Sequence, residues 1–345
     1  MEKEGLFTTV VGSMPITNTE ENMILAFEDL INIGVDYPCY PQLVAMNPQF
    51  LSPLSKIIDP LEEAKPDVFY LGDDFKIPDN PVALEYGEFI IKFLNERPHL
   101  RDNIKGTKAC LTGPFTLASE ILLREGLSKG IELKIFNEHR AIMVDWIVDK
   151  LAEIMKKIGK AYNDMGINII SMDEPILGLL VGRKIFFHSE DFIIKTLNKA
   201  LSGIKNISSI HVCGRISPNL RDLLLKTNVN IMDHEFRTSE TNFNIFERKH
   251  LEDNDKYLAM GTVQTNLAPM KHTSANDYVE KVEFLKKYIE KGINQFGREN
   301  LFIKPDCGFG ALKKTFESEK FAYEIAIRKL NNMVLAVKEI RQNIS

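Results

Sequence analysis

The chain has 345 residues with 43 Lys and Arg against 48 Asp and Glu, a formal charge of −5, and is 44% hydrophobic and 26% charged, the balance of an average soluble globular protein. No basic block is present, which excludes a phosphate-backbone ligand, because nucleic-acid affinity rests on clustered Lys and Arg. No apolar run approaches the ~18 residues of a membrane span, and Met1-Glu2-Lys3-Glu4 lacks the features of a secretory leader, so a cytoplasmic location and no membrane partner are expected.

Short β-rich runs alternate with amphipathic helical stretches along the whole length, the pattern of an α/β fold with a parallel sheet. Strands are predicted at 7–11, 35–38, 106–111, 167–172, 207–211, 229–232, 257–263 and 301–304. Helices are predicted at 20–33, 82–97, 131–165, 189–201, 276–296 and 317–340. Eight strands alternating with helices predict one (β/α)8 TIM-type barrel spanning 1–345, a single catalytic domain. Residues 40–80 carry six prolines and the pair Asp73-Asp74. They read as a long insertion after the second strand that caps a site.

In such a barrel the active site is built at the C-terminal ends of the strands. Those ends read Gly12-Ser13, Cys39, Thr112-Gly113-Pro114, Asp173-Glu174-Pro175, His211-Val212-Cys213-Gly214, Asp233-His234-Glu235, Gln264-Thr265-Asn266 and Asp306-Cys307-Gly308. Chemically competent side chains converge on one face.

Four cysteines (Cys39, Cys110, Cys213 and Cys307) are too sparse for a disulfide scaffold and read as thiols or metal ligands. His211 and Cys213 are two apart, so at a strand end they point to the same side as a two-point chelate. Cys307 and Glu235, at the ends of other strands, are placed to complete a set of one imidazole, two thiolates and one carboxylate, which suits zinc. A buried cysteine beside a satisfied core histidine is the competing account of the pair. Cys39 and Cys110 read as small strand or loop residues, and His234, next to Glu235, as packed to the outside. Arg215 either meets a carboxylate or is solvated.

His211-Val212-Cys213, Glu235 placed 22 residues after Cys213, and Pro305-Asp306-Cys307-Gly308 together resemble the zinc site of the cobalamin-independent methionine synthases, specifically their C-terminal catalytic barrel. Thr8-Thr9-Val10-Val11-Gly12-Ser13 resembles the start of that barrel and Asp173-Glu174-Pro175 its Asp-Glu-Pro motif. The resemblance runs from about residue 7 to about residue 315, with five separated motifs in order. It implies a zinc-dependent enzyme in which His211, Cys213, Glu235 and Cys307 hold the metal, the homocysteine sulfur is activated for methylation, and Glu235 is the ligand that yields. Gly12, Ser13 and Asp173 are implied to grip the amino acid; Asp173 also reads as a second-layer acid orienting His211.

Two departures shape the expected donor. Full-length family members are about twice as long, and the family's proton-donating histidine falls on Asn266. A methyl-tetrahydrofolate leaves through a nitrogen that needs a proton, whereas cob(I)alamin needs none. The sequence therefore predicts methylcobalamin or a methyl-corrinoid protein as donor, as in the short core methionine synthases of archaea and anaerobic bacteria. His272 is the candidate replacement acid. Transfer to coenzyme M or another thiol, porphyrinogen decarboxylation, and a non-catalytic zinc-bearing protein are the alternatives. The Thr8-Thr9-Val10-Val11-Gly12-Ser13 opening and Asp173-Glu174-Pro175 favour an amino-acid thiol, and the zinc-ligand set disfavours the decarboxylase.

Overall fold

The computed structural model describes residues 5–271 and 274–342. Its strands are β1 (Phe7–Thr8), β2 (Leu61–Lys65), β3 (Val68–Leu71), β4 (Lys108–Thr112), β5 (Ile121–Leu123), β6 (Ile169–Asp173), β7 (Ile207–Val212), β8 (Ile231–His234), β9 (Tyr257–Val263) and β10 (Leu301–Pro305). Seven form a curled, all-parallel sheet in the order β1-β10-β9-β8-β7-β6-β4. The chain is therefore α/β, as expected, with helices between successive strands.

The eighth strand expected at 35–38 is not a ladder strand. Single parallel bridges join Thr9 to Tyr37 and Cys39 to Lys108. Tyr37 N–H donates to Thr8 O and Lys108 N–H to Pro38 O. Pro38 and Pro41 carry no N–H, so the segment touches both neighbours but cannot run a regular ladder along either.

Residues 40–80 hold a helix, Met46–Ser55, and the antiparallel pair β2/β3, which β5 extends into a separate three-stranded sheet. The helix starts near the C-terminal end of β4, where Thr112 Oγ1 donates to Met46 O at 2.7 Å. The long helix expected at 131–165 begins only at Asp145. Upstream, Leu123 N–H takes His139 O and Leu122 bridges Arg140, which keeps that stretch extended against the edge of β5. Elsewhere local chemistry sets the helix ends: Thr19 caps Glu20–Ile33 by accepting Asn22 N–H, and Gly34 ends it at φ 90°, a left-handed conformation that glycine adopts without a Cβ penalty.

Inside the curled sheet, side chains alternate with the strand period of two. Phe7, Tyr37, Ile169, Ile231, Ala259 and Phe302 form a buried apolar floor. Two residues further along their strands, toward the C-terminal ends, stand Ser171, Asp233 and Lys304, all buried. Beyond these come Asp173 on β6 and, by the same alternation on β7, His211. Polar chemistry is thus stacked above an apolar base, at the end of the sheet where the sequence placed it.

Candidate metal and substrate site

His211 on β7 and the following Cys213 meet Cys307, which ends the turn after β10. His211 Nε2 lies 3.1 Å from Cys213 Sγ and 3.8 Å from Cys307 Sγ, and the two sulfurs are 3.5 Å apart. A tetrahedral zinc with bonds of ~2.3 Å to sulfur and ~2.1 Å to nitrogen has S–S and S–N edges of about 3.8 and 3.6 Å. The observed triangle is close to one face of that tetrahedron. Its three ligand atoms all fall within 4.8 Å of one another. Three of the four expected ligands therefore converge with the right chemistry and spacing.

Glu235, the fourth, stands apart from that cluster of ligand atoms. Its carboxylate accepts Ser239 Oγ–H at 3.4 Å, and its backbone carbonyl accepts Asn242 Nδ2–H at 2.7 Å. Burial, then the charges of Asp306 and Cys307, push its pKa up. The loop it begins is pinned by Asp306, whose carboxylate accepts the N–H groups of Phe236, Arg237 and Thr238 at 3.0, 2.9 and 2.6 Å. Gly261 permits this: a Cβ there would come within 2.2 Å of Asp306 Oδ1.

Between the two thiols the proton is unevenly held. The Cys213 S–H, then His211 and Lys304, hold Cys307 well below the usual thiol range against the cost of burial. Cys213 is pushed up by Cys307 and by burial. For His211, burial disfavours the charged ring, yet the Asp233 carboxylate carries its pKa up to about 10. The bond responsible is His211 Nδ1 to Asp233 Oδ1, 2.6 Å, at a residue the sequence reading gave no role. Asp233 in turn meets Lys304 Nζ at 2.7 Å and Lys108 Nζ at 3.5 Å. A lysine within a fully buried parallel strand, at the start of β4 for Lys108 and late in β10 for Lys304, is the sequence signal that could have flagged both.

Asp173 pairs in register with His211 across β6 and β7. Its carboxylate is buried, and Oδ1 has no hydrogen-bond partner. Burial lifts its pKa to about 7, with His211 and Lys108 pulling the other way. Because Asp233 holds His211 Nδ1, the alternative reading of Asp173 as the acid orienting that ring does not describe this geometry. Its neighbour Glu174 is an anchor, accepting Phe115 N–H, Thr116 N–H and Thr116 Oγ1–H at 2.9, 2.8 and 2.6 Å.

The Gly12-Ser13 turn lies against the turn that carries Cys307. Ser13 O accepts Phe309 N–H at 2.8 Å, and Ser13 Oγ accepts Gly310 N–H at 3.2 Å. Gly12 has φ 136°, and beneath it the Cys39 and Cys110 sulfurs sit 3.5 Å apart, both buried. His234 stacks on Phe246 with ring centroids 5.3 Å apart, packed outward as expected. Arg215 and Asn266 are exposed. His272 lies outside the described residues.

Residues 102–339 match the family described as the catalytic domain of the cobalamin-independent synthases. The methionine synthase of Methanocaldococcus jannaschii is 28% identical over 358 residues, covering 97% of this chain and all of that protein. The 5-methyltetrahydropteroyltriglutamate–homocysteine methyltransferase of Campylobacter jejuni is 29% identical over 247 residues, which are 70% of this chain but 28% of that protein. A solved B12-independent methionine synthase from Shewanella in complex with selenomethionine shares the fold, with a TM-score of 0.68, 17% identity and 99% of both chains covered.

These findings overturn the expectation of methylcobalamin or a methyl-corrinoid protein as donor. The matched family is cobalamin-independent, and the Campylobacter relative is named for a reduced-pterin donor. The physical error lay in letting position 266 decide the leaving group. That side chain is exposed on the loop after β9 and is not part of the buried cluster of reactive groups.

Proposed function

Because the chain belongs to the family of cobalamin-independent synthases, with residues 102–339 forming its catalytic-domain match, we propose that it transfers a methyl group from a 5-methyltetrahydropteroyl donor to the thiol of homocysteine, yielding methionine. The observation that carries this reading is the His211–Cys213–Cys307 triangle, whose edges suit one face of a zinc tetrahedron.

His211, Cys213 and Cys307 would hold zinc, with Glu235, on the loop after β8, as the fourth ligand that the family resemblance implies. Bound there, zinc supplies a Lewis acid that keeps a thiol deprotonated near pH 7, where a free thiol of pKa ~8.5 is only a few per cent ionised, a gain of roughly 30-fold or about 2 kcal/mol. The remaining work belongs to positioning. Asp173, with a buried and unpartnered oxygen in register with His211, accepts the ammonium of the amino acid. Ser13 uses its oxygen to accept Gly310 N–H, which leaves its O–H to donate to the carboxylate. Both grips lie beside the metal ligands, so the thiol is directed to the set while its charged end is fixed.

We read residues 1–345 as one catalytic unit. The 36–40 segment serves as the eighth stave between β1 and β4, a reading supported by its bridges to both. The 40–80 insertion caps the mouth, supported by the Thr112–Met46 bond at the end of β4.

The test is a rate of methionine formation from homocysteine and 5-methyltetrahydropteroyltriglutamate by zinc-loaded protein. The reading expects turnover that chelation abolishes and zinc restores. Turnover unaffected by complete metal removal would contradict it.

A further inference from the structure

Beside the ligand set, the interior holds a buried ionic group that the reaction so far does not use: Lys304 with Asp233 and Lys108. Lys304 is fully buried, in the last strand. Its ammonium makes three contacts, to Asp233 Oδ1 at 2.7 Å, Pro305 O at 3.0 Å and Asp306 O at 2.8 Å. An ammonium has three hydrogens, so each contact takes one. The first partner, Asp233, holds His211 Nδ1 by the same Oδ1. The other two are the backbone carbonyls immediately before Cys307. At this point β10 slips register against β9, between Lys304 and Pro305. Such irregularities re-aim the side chains that follow them.

We propose that Lys304 is a positioning residue that couples the two arms of the ligand set, fixing the His211 ring through Asp233 and the Cys307 turn through the carbonyls of Pro305 and Asp306. The inference rests on the zinc reading of the site given above. One buried cation thereby sets the spacing of Nε2 and a sulfur supplied by strands that are not neighbours in the sheet. With its Nδ1–H given to Asp233, His211 can offer only Nε2 to a metal, which is the nitrogen that faces both sulfurs. Lys108, 3.5 Å from Asp233 Oδ2 and bonded to Val10 O at 2.9 Å, holds the carboxylate from its other side. Removing the ammonium would leave the buried carbonyls of Pro305 and Asp306 without this donor and take from Asp233 its nearest counter-charge, with only His211 Nδ1–H kept on that carboxylate oxygen. The cost would therefore fall on the geometry of the set, away from any contact with substrate.

The experiment measures zinc affinity by chelator competition in the full-length protein, for wild type, Lys304→Met, Asp233→Asn and the charge-balanced double variant, with circular dichroism reporting folding. We expect each folded variant to bind zinc about 10- to 100-fold more weakly than wild type. The double variant should be no weaker than the weaker single, because both act through one unit. Zinc affinity within twofold of wild type in a folded double variant would overturn the coupling. If none of the variants folds, ¹⁵N NMR of the zinc-loaded wild type decides. A proton on His211 Nδ1 with metal on Nε2 supports the proposal, and metal on Nδ1 overturns it. A wild type that takes up no zinc would instead bring down the reading of the site itself.

Discussion

Replacing Asp173 by Asn tests the substrate grip with little change of shape. The wild-type carboxylate is buried, one oxygen has no partner, and burial places its pKa at about 7. A charge-assisted hydrogen bond to an ammonium is worth roughly 1.5 to 3 kcal/mol. At pH 7 about half of the free protein must first lose a proton, which subtracts about 0.4 kcal/mol (RT ln 2). The net loss of about 1 to 2.6 kcal/mol corresponds to a roughly 5- to 80-fold weaker Kd. Calorimetric titration with methionine is the cleanest assay, since methionine carries the ammonium but no thiol proton. A second signature follows from the raised pKa. Wild-type affinity should fall as pH drops below about 7, because the acid must ionise to bind, whereas Asp173→Asn should be flat over the same range. Zinc content is measured on the same samples. Unchanged affinity would refute the assignment, and loss of zinc together with affinity would move Asp173 into the surroundings of the metal.

Three further outcomes follow. Cys307→Ser removes a sulfur that lies 3.5 Å from Cys213 and 3.8 Å from His211, and purified variant should retain well under half of the wild-type zinc by elemental analysis. Gly261→Ala drives a Cβ to within 2.2 Å of Asp306 Oδ1 and 2.8 Å of its Cα, and urea unfolding should show a loss of about 1 to 3 kcal/mol. His188, buried and stacked on Phe192, has its pKa lowered by burial despite its bond to Asp145. The unfolded chain therefore binds the proton first, and the stabilising contribution, complete above about 6.5, is lost as pH falls from there toward the native pKa. His188→Gln should flatten that acid limb in unfolding titrations at pH 5 and 7.5.

Much of the site was legible because strand periodicity is local. His-x-Cys at the end of β7 and Cys at the end of β10 face one side whatever the register of the sheet, and the structure brings all three together. β9 spans the same residues, 257–263, that alternation and composition marked. What escaped was set by contacts between distant segments. The β2-β3-β5 sheet depends on pairing Phe69 with Ile121, and nothing near either residue announces it. The apolar stripe at 131–144 has helix spacing, yet pairing at the edge of β5 overrides it. The place of Glu235 depends on Asp306 pinning the loop that follows, a long-range bond that spacing alone does not encode. Lys304 and Asp233 were visible as charged residues within apolar strands, but their meaning required knowing that they face each other across the interior.

The most direct test of the central claim is X-ray absorption at the zinc edge of the loaded protein, with and without saturating homocysteine. The account predicts two sulfur neighbours from Cys213 and Cys307 plus nitrogen or oxygen at rest, at ~2.3 and ~2.1 Å, and a third sulfur when homocysteine is added. A sulfur count that does not change on adding homocysteine, in protein shown by calorimetry to be saturated, would contradict it.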